Sequence, residues 1–220
     1  MSNLSDVKVT GHVQEVVGNP SPLGLLGLAM VTLVASSSKL GITDGVVYVI
    51  PWAIFLGALA QFYAGMLDYK HNNTFGATAF CGYGVFWFGM GMSWMISSGI
   101  IGNNLEFDPH QMGFAFLGYF IFTFIMTLGS MGTNKMLFVD FVLIDLLFLG
   151  LFMSTLGWGG HFWHQLAAYS ELFISIVSFY GCAATLLNTH YGIEVLPVGK
   201  PFGPWTRAAQ LAKGSKTISA

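Results

Sequence analysis

The sequence predicts an all-α integral membrane protein with six transmembrane helices, and three observations carry that prediction. Of its 220 residues 54% are hydrophobic and only 8% are charged, against roughly a quarter charged in a soluble domain that must solvate its surface. The charges leave long gaps between them, enough for a hydrocarbon core that needs about 20 apolar residues. Once six spans are drawn, Lys and Arg sort almost entirely to one side. The same composition excludes a disordered chain and a nucleic-acid binder, which need few aromatics or clustered basic residues respectively. Cys81 and Cys182 lie in apolar runs, so neither a disulfide framework nor a zinc site is indicated.

The first span, 22–38, is short but free of charge, and Pro22 suits the first turn of a helix. A cleaved signal peptide would need a positive n-region, which is missing here. An uncharged run between Asp44 and Asp68 supplies the second span, 45–67. The third, 74–101, and the fourth, 112–132, are also uncharged. The fifth, 136–156, contains Asp140 and Asp145, and the sixth, 166–189, contains Glu171. The expected organisation is a tail over 1–21, a six-helix domain over 22–190 and a polar, basic tail over 191–220, joined by short loops. Strands are ruled out because runs such as Phe114 to Met126 lack the alternation of a barrel strand. Small residues at helical spacing, such as Ala60 and Ala64, allow close approach of helices in lipid.

Positive residues are retained in the cytoplasm. Six spans put Lys8, Lys70, Lys135, Lys200, Arg207, Lys213 and Lys216 on the side of both tails and leave Lys39 alone opposite. Both termini are therefore expected in the cytoplasm.

Inside the spans there is no Lys or Arg, so an anion crossing here must meet amides, hydroxyls and helix N-termini, or be neutralised by a proton. Gln61 lies in the second span, and Asn72, Asn73 and Thr74 open the third. Two readings of that opening stand: helix caps, or a weak anion mouth facing the cytoplasm. An intramembrane carboxylate costs around 3 kcal/mol on insertion scales, so it faces protein or water. Asp140 is close enough to the cytoplasmic end to be solvated. Asp145 lies roughly 15 Å into its helix at 1.5 Å per residue, and is either a protonated packing residue or a proton-linked, pathway-facing one. Glu171 is expected near the outer headgroups, with a proton-linked role as its alternative. His161 and His164 do not have the spacing of a zinc-protease helix. No metal site, cofactor motif, nucleophile motif or phosphate loop stands out, which argues against an enzyme.

Three stretches share a further pattern: Asn19-Pro20-Ser21-Pro22-Leu23-Gly24-Leu25, Asn73-Thr74-Phe75-Gly76-Ala77-Thr78-Ala79-Phe80 with Tyr83-Gly84-Val85-Phe86-Trp87, and Leu196-Pro197-Val198-Gly199. In order and spacing they resemble the acetate uptake transporter family, which includes bacterial succinate-acetate permeases and fungal ammonia/acetate export proteins. Gln61-Phe62-Tyr63-Ala64-Gly65 fits the end of that family's second helix. An aquaporin needs two Asn-Pro-Ala half-helices, and only one such triplet occurs here, outside the spans.

The resemblance implies a six-helix protomer, assembled as a homo-hexamer in the plasma (inner) membrane. It also implies a pathway for acetate and related small monocarboxylates, with succinate a further candidate. A narrow apolar constriction on the first, third and fifth helices maps to Leu28, Tyr83 and Leu143. Asn19, Gln61, Asn72, Asn73 and Thr74 are the expected pathway residues. An apolar neck flanked by Tyr, Gln and Asn suits a small carboxylic acid and resists a hydrated inorganic ion, since it offers little to replace a hydration shell. The alternative from another class is a non-transporting sensor or scaffold that engages a partner or anionic lipid through its basic C-terminal tail.

Overall fold

A computed structural model describes residues 17–102 and 105–206. Lys8, Arg207, Lys213 and Lys216, which enter the charge bias, lie outside those residues. Among the described residues there are six helices long and apolar enough to cross a membrane and no strand. They are α1 (Ser21–Lys39), α2 (Val49–Lys70), α3 (Thr74–Ser97), α4 (His110–Ser130), α5 (Lys135–Thr155) and α6 (His161–Tyr191).

Local chemistry explains where the helices begin and end. Asn73 and Asn134 cap α3 and α5, accepting from the Gly76 and Leu137 N–H groups at 3.1 and 2.9 Å, which satisfies donors that a helix start leaves orphaned. Asn19 Oδ1 accepts from Ser21 N–H at 3.0 Å and sets the start of α1. Asn72 turns the chain between α2 and α3 with φ of 56°, a left-handed conformation that Asn tolerates better than most residues. α6 stops at Gly192, whose φ is 67°, the usual left-handed helix terminator. α6 has 31 residues, about 46 Å at 1.5 Å each, well over the roughly 30 Å hydrocarbon core. It starts at His161, not Leu166, and so takes in most of the segment read as a loop.

After Pro51, which sits in the first turn where its missing N–H does no harm, residues Ala53–Ala60 of α2 wind as a π-helix. The wider winding brings Gln61 out of register with a continuous α-helix.

The helices close a ring. α1 packs on α2 and α6, α2 on α3, α4 on α5, and α5 on α6. Aromatic rings complete the seam between α3 and α4, where Tyr119 lies 4.7 Å from Phe86 and 6.4 Å from Tyr83, centroid to centroid. Glycines set the tightest spacings. A Cβ on Gly84 of α3 would lie 2.9 Å from the Phe62 nitrogen and 3.1 Å from the Ala58 oxygen of α2, so the two backbones meet with nothing between them. The outer surface is apolar, with Phe55, Leu59, Phe114, Ile121, Phe124 and Ile125 exposed, as lipid or a neighbouring subunit requires.

The segment after α6, read as the start of a tail, folds back onto the bundle. Met136 N–H donates to Val198 at 3.0 Å, Phe202 N–H to Met131 at 2.8 Å, and the Tyr180 hydroxyl to Pro197 at 2.7 Å. The Leu196-Pro197-Val198-Gly199 block is thereby tied to the turn between α4 and α5.

Candidate functional site

Two cavities open toward opposite ends of the ring, separated by a plug of side chains. The first, of about 240 Å³, is lined by Leu25, Leu28, Gln61, Asn73, Tyr83 and Asp140, among others; it is called the Asp140 cavity below. The second, of about 200 Å³, is lined by Lys39, Phe86, Trp94, Leu147 and Glu171, among others, and is called the Lys39 cavity. Both fall below the ~300–1,000 Å³ of drug-sized ligand pockets, a scale fit for a small molecule.

Helical periodicity builds the plug. On α3, Tyr83 lines one cavity and Phe86 the other, three residues on. On α5, Ile144 and Leu147 divide in the same way. Between them sits Phe148, 1% exposed, with its ring stacked on Tyr83 at 6.4 Å and edge-on to Phe86 at 5.0 Å. Leu28 of α1 closes the Asp140 side. The Tyr83 hydroxyl is engaged with the Thr123 hydroxyl at 2.8 Å, on α4. The barrier thus presents rings and aliphatic groups to whatever crosses.

Of the sequence-derived candidates, Leu28, Gln61, Asn73 and Tyr83 come together around the Asp140 cavity. Asn19, Asn72 and Thr74 are exposed near its rim without lining it; Asn19 and Asn72 shape turns, and Thr74 is the first residue of α3. Next to Leu143, expected in the constriction, it is Ile144 that lines the cavity. The former is only partly buried and lines neither cavity, whereas Ile144 is 4% exposed and lines the first. One residue is a turn of about 100° on a helix, enough to move a side chain off the axis.

The carboxylates are also reassigned. Asp140, read as solvated, is 2% exposed and lines the cavity, with Oδ2 accepting from the Ser178 hydroxyl at 2.9 Å. Asp145 turns the other way and accepts from the Thr127 hydroxyl of α4 at 2.7 Å, lining neither cavity. Glu171, expected at the headgroups, is 1% exposed, because α6 starts early enough to place it about three turns into the helix. Its Oε2 is 2.8 Å from Lys39 Nζ. Lys39, expected in a loop, is the last residue of α1, where a cation also suits the helix C-terminus. The Lys39 cavity therefore does hold a cation, already paired.

Asn134 and Phe148 join the site beyond the residues expected from sequence. Asn134 had a readable signal, since Thr133-Asn134-Lys135 before an apolar run repeats the capping chemistry of Asn73. The N-termini of α1, α3 and α5 all border the Asp140 cavity, through Ser21, Asn73 and Asn134, so three positive helix ends face it. Among the described residues no group of His, Cys, Asp and Glu is placed to hold a metal. Outside the spans, Asp108 accepts from the His110 N–H at 2.9 Å and contacts its ring at 2.7 Å. These hydrogen bonds hold the Asp108 carboxyl below its ordinary pKa.

A ring of six spans with a small cavity toward each end, each holding a few polar groups, and an apolar plug between them defines a small polytopic membrane protein. Comparison with known proteins agrees. The chain belongs to the GPR1/FUN34/yaaH family, whose profile matches residues 5–200. It is 32% identical over 188 residues to the succinate-acetate/proton symporter SatP of Escherichia coli strain K12, covering 84% of this chain and 96% of that one. Acetate permease A of Emericella nidulans is 28% identical, covering 91% of this chain and 72% of its own length. The solved structure of the bacterial acetate channel SatP superposes with a TM-score of 0.77 at 28% identity, covering 84% of this chain and all of that one.

Proposed function

We propose that this protein moves acetate and related small monocarboxylates across a membrane, along the ring axis from one cavity to the other. The observation that carries this reading is the pair of small cavities facing each other across one apolar plug. Similarity to SatP, named both a proton symporter and an acetate channel, and to acetate permease A supports the substrate class. Leu28, Tyr83 and Ile144 form the constriction with Phe148. Gln61 and Asn73 meet the substrate in the Asp140 cavity, while Asn19, Asn72 and Thr74 shape its rim. Three helix N-termini attract the anion, and the methyl group of acetate suits the plug. Dehydrating the carboxylate there is costly, which favours passage with a proton.

Each protomer carries its own pathway in a homo-hexamer of the plasma membrane, with both termini cytoplasmic, as the charge bias and the family suggest. Uptake of labelled acetate into liposomes containing only this protein tests the reading. Uptake no greater than in empty liposomes, with and without a pH gradient, would refute it.

A further inference from the structure

The Asp140 cavity contains buried polar atoms that the fold itself leaves unused. Gln61 is fully buried, and neither its Nε2 nor its Oε1 has a hydrogen-bond partner. Asp140 is held by Ser178 through Oδ2, while its Oδ1 is buried without a partner. Both side chains line the same cavity. Burying an amide and a carboxyl unpaired is costly, and native proteins do so rarely. Two such groups in one cavity mark a place that a ligand completes.

The charge balance around them selects that ligand. Among the described residues no Lys, Arg or His lines this cavity. From α3 the titratable group present is Tyr83, whose hydroxyl is engaged with Thr123. Asp68 of α2 lies against Asn73 and Gly76 and does not line the cavity. On α5, Asp145 is turned to Thr127, and the Lys135 stem lies against Gly199. The lining residue of α6 is Thr185, and those of α1 are Ser21, Leu25 and Leu28. An ionised Asp140 would repel an incoming carboxylate, and among the described residues no charged side chain in the lining offsets it. A carboxylate and a carboxyl share a site only with one proton between them.

We propose that Gln61 and Asp140 form a carboxyl-binding subsite that takes up one substrate carboxylate together with one proton. This rests on the acetate reading above and deepens it. Gln61 donates from Nε2 to one substrate oxygen, and protonated Asp140 donates from Oδ1 to the other, while Ser178 fixes Oδ2. When the substrate leaves as the acid, the O–H bond at Asp140 breaks and one forms on the substrate oxygen. Asp140 is then a carboxylate, which regains its proton from water in the cavity.

The test is acetate binding to the full chain in detergent, followed between about pH 5.5 and 8.5. Toward the alkaline end the wild-type Kd should rise by up to about tenfold per pH unit, because each unit depletes a proton that the complex requires. Asp140→Asn keeps a donor but carries no exchangeable charge, so its Kd should be independent of pH. Gln61→Leu should weaken binding by about tenfold at every pH and keep the slope. Wild-type binding that is flat with pH overturns this inference and leaves the acetate reading standing. An Asp140→Asn variant with the wild-type slope overturns it too, since acetic acid itself would then bring the proton. Unchanged affinity in Gln61→Leu removes the amide and overturns the subsite as drawn. Absence of acetate binding by the wild type at any pH overturns both readings.

Discussion

Replacing Lys39 by Met strands Glu171 in the protein interior. The pair is close, with Nζ and Oε2 at 2.8 Å, and the side chains are 19% and 2% exposed, so water screens the acid hardly at all. Breaking a buried ion pair by removing one partner costs about 3–5 kcal/mol, because the remaining charge is uncompensated. For a chain of 150–250 residues each kcal/mol corresponds to roughly 2–4 °C in Tm. Lys39→Met should therefore melt on the order of 10 °C below wild type in the same detergent. The double variant Lys39→Met with Glu171→Leu removes both charges and fills the space with carbon, and should recover most of that loss, since buried pairs are often replaceable by apolar side chains at little net cost. Thermal melts of the four proteins, wild type, two singles and the double, close a double-mutant cycle. If Lys39→Met melts within a degree or two of wild type, or the double falls by the sum of the singles, the pair is not buried as described.

Further outcomes are expected at four positions. Tyr83→Phe leaves the Thr123 hydroxyl buried without its partner, costing about 1–3 kcal/mol in a melt, whereas Tyr83→Ala removes a ring from the plug and should admit larger monocarboxylates in liposome uptake. Gly84→Val forces α2 and α3 apart against backbone atoms, costing about 1–3 kcal/mol or more, seen as a loss of monodisperse protein by size-exclusion chromatography. Asn134→Ala removes the α5 cap and should cost about 1 kcal/mol, again by thermal melt. Asp108 has a depressed pKa in the folded state, so its contribution is present above its unfolded value and lost as pH falls through the folded one. Its carboxyl should titrate below the ordinary range by NMR and move only part of the way back in His110→Ala, which removes the ring contact and keeps the backbone N–H.

The six spans were legible because composition and charge gaps act over twenty residues at a time, and lipid enforces them. The side chains of the site were legible only where a local motif fixes them. Tyr83 and Asn73 sit in a recognisable block and line the cavity. Choosing between Leu143 and Ile144 needs helix rotation to within about 100°, and that angle is set by packing against α4 and α6. Asp140 is hidden for the same reason: distance along the helix suggests water, but its direction points to Ser178. Lys39 and Glu171 are 132 residues apart in the chain, and nothing in either neighbourhood names the other. The π-helical winding of α2 leaves no composition signal, since Ala, Ile, Leu and Gly fill ordinary spans as well.

The plug also bears on the cell's proton gradient. Protons cross proteins by hopping along unbroken files of water and hydroxyl groups. At this level of the ring the hydroxyls are already spoken for, Thr32 donating to the Leu28 carbonyl at 2.7 Å and Tyr83 paired with Thr123. The rest is aromatic and aliphatic, a lining from which water withdraws. Such a plug is an insulator for bare protons. Under the proposed function a proton crosses it as the O–H of a carboxylic acid, and the membrane keeps its charge while the acid passes.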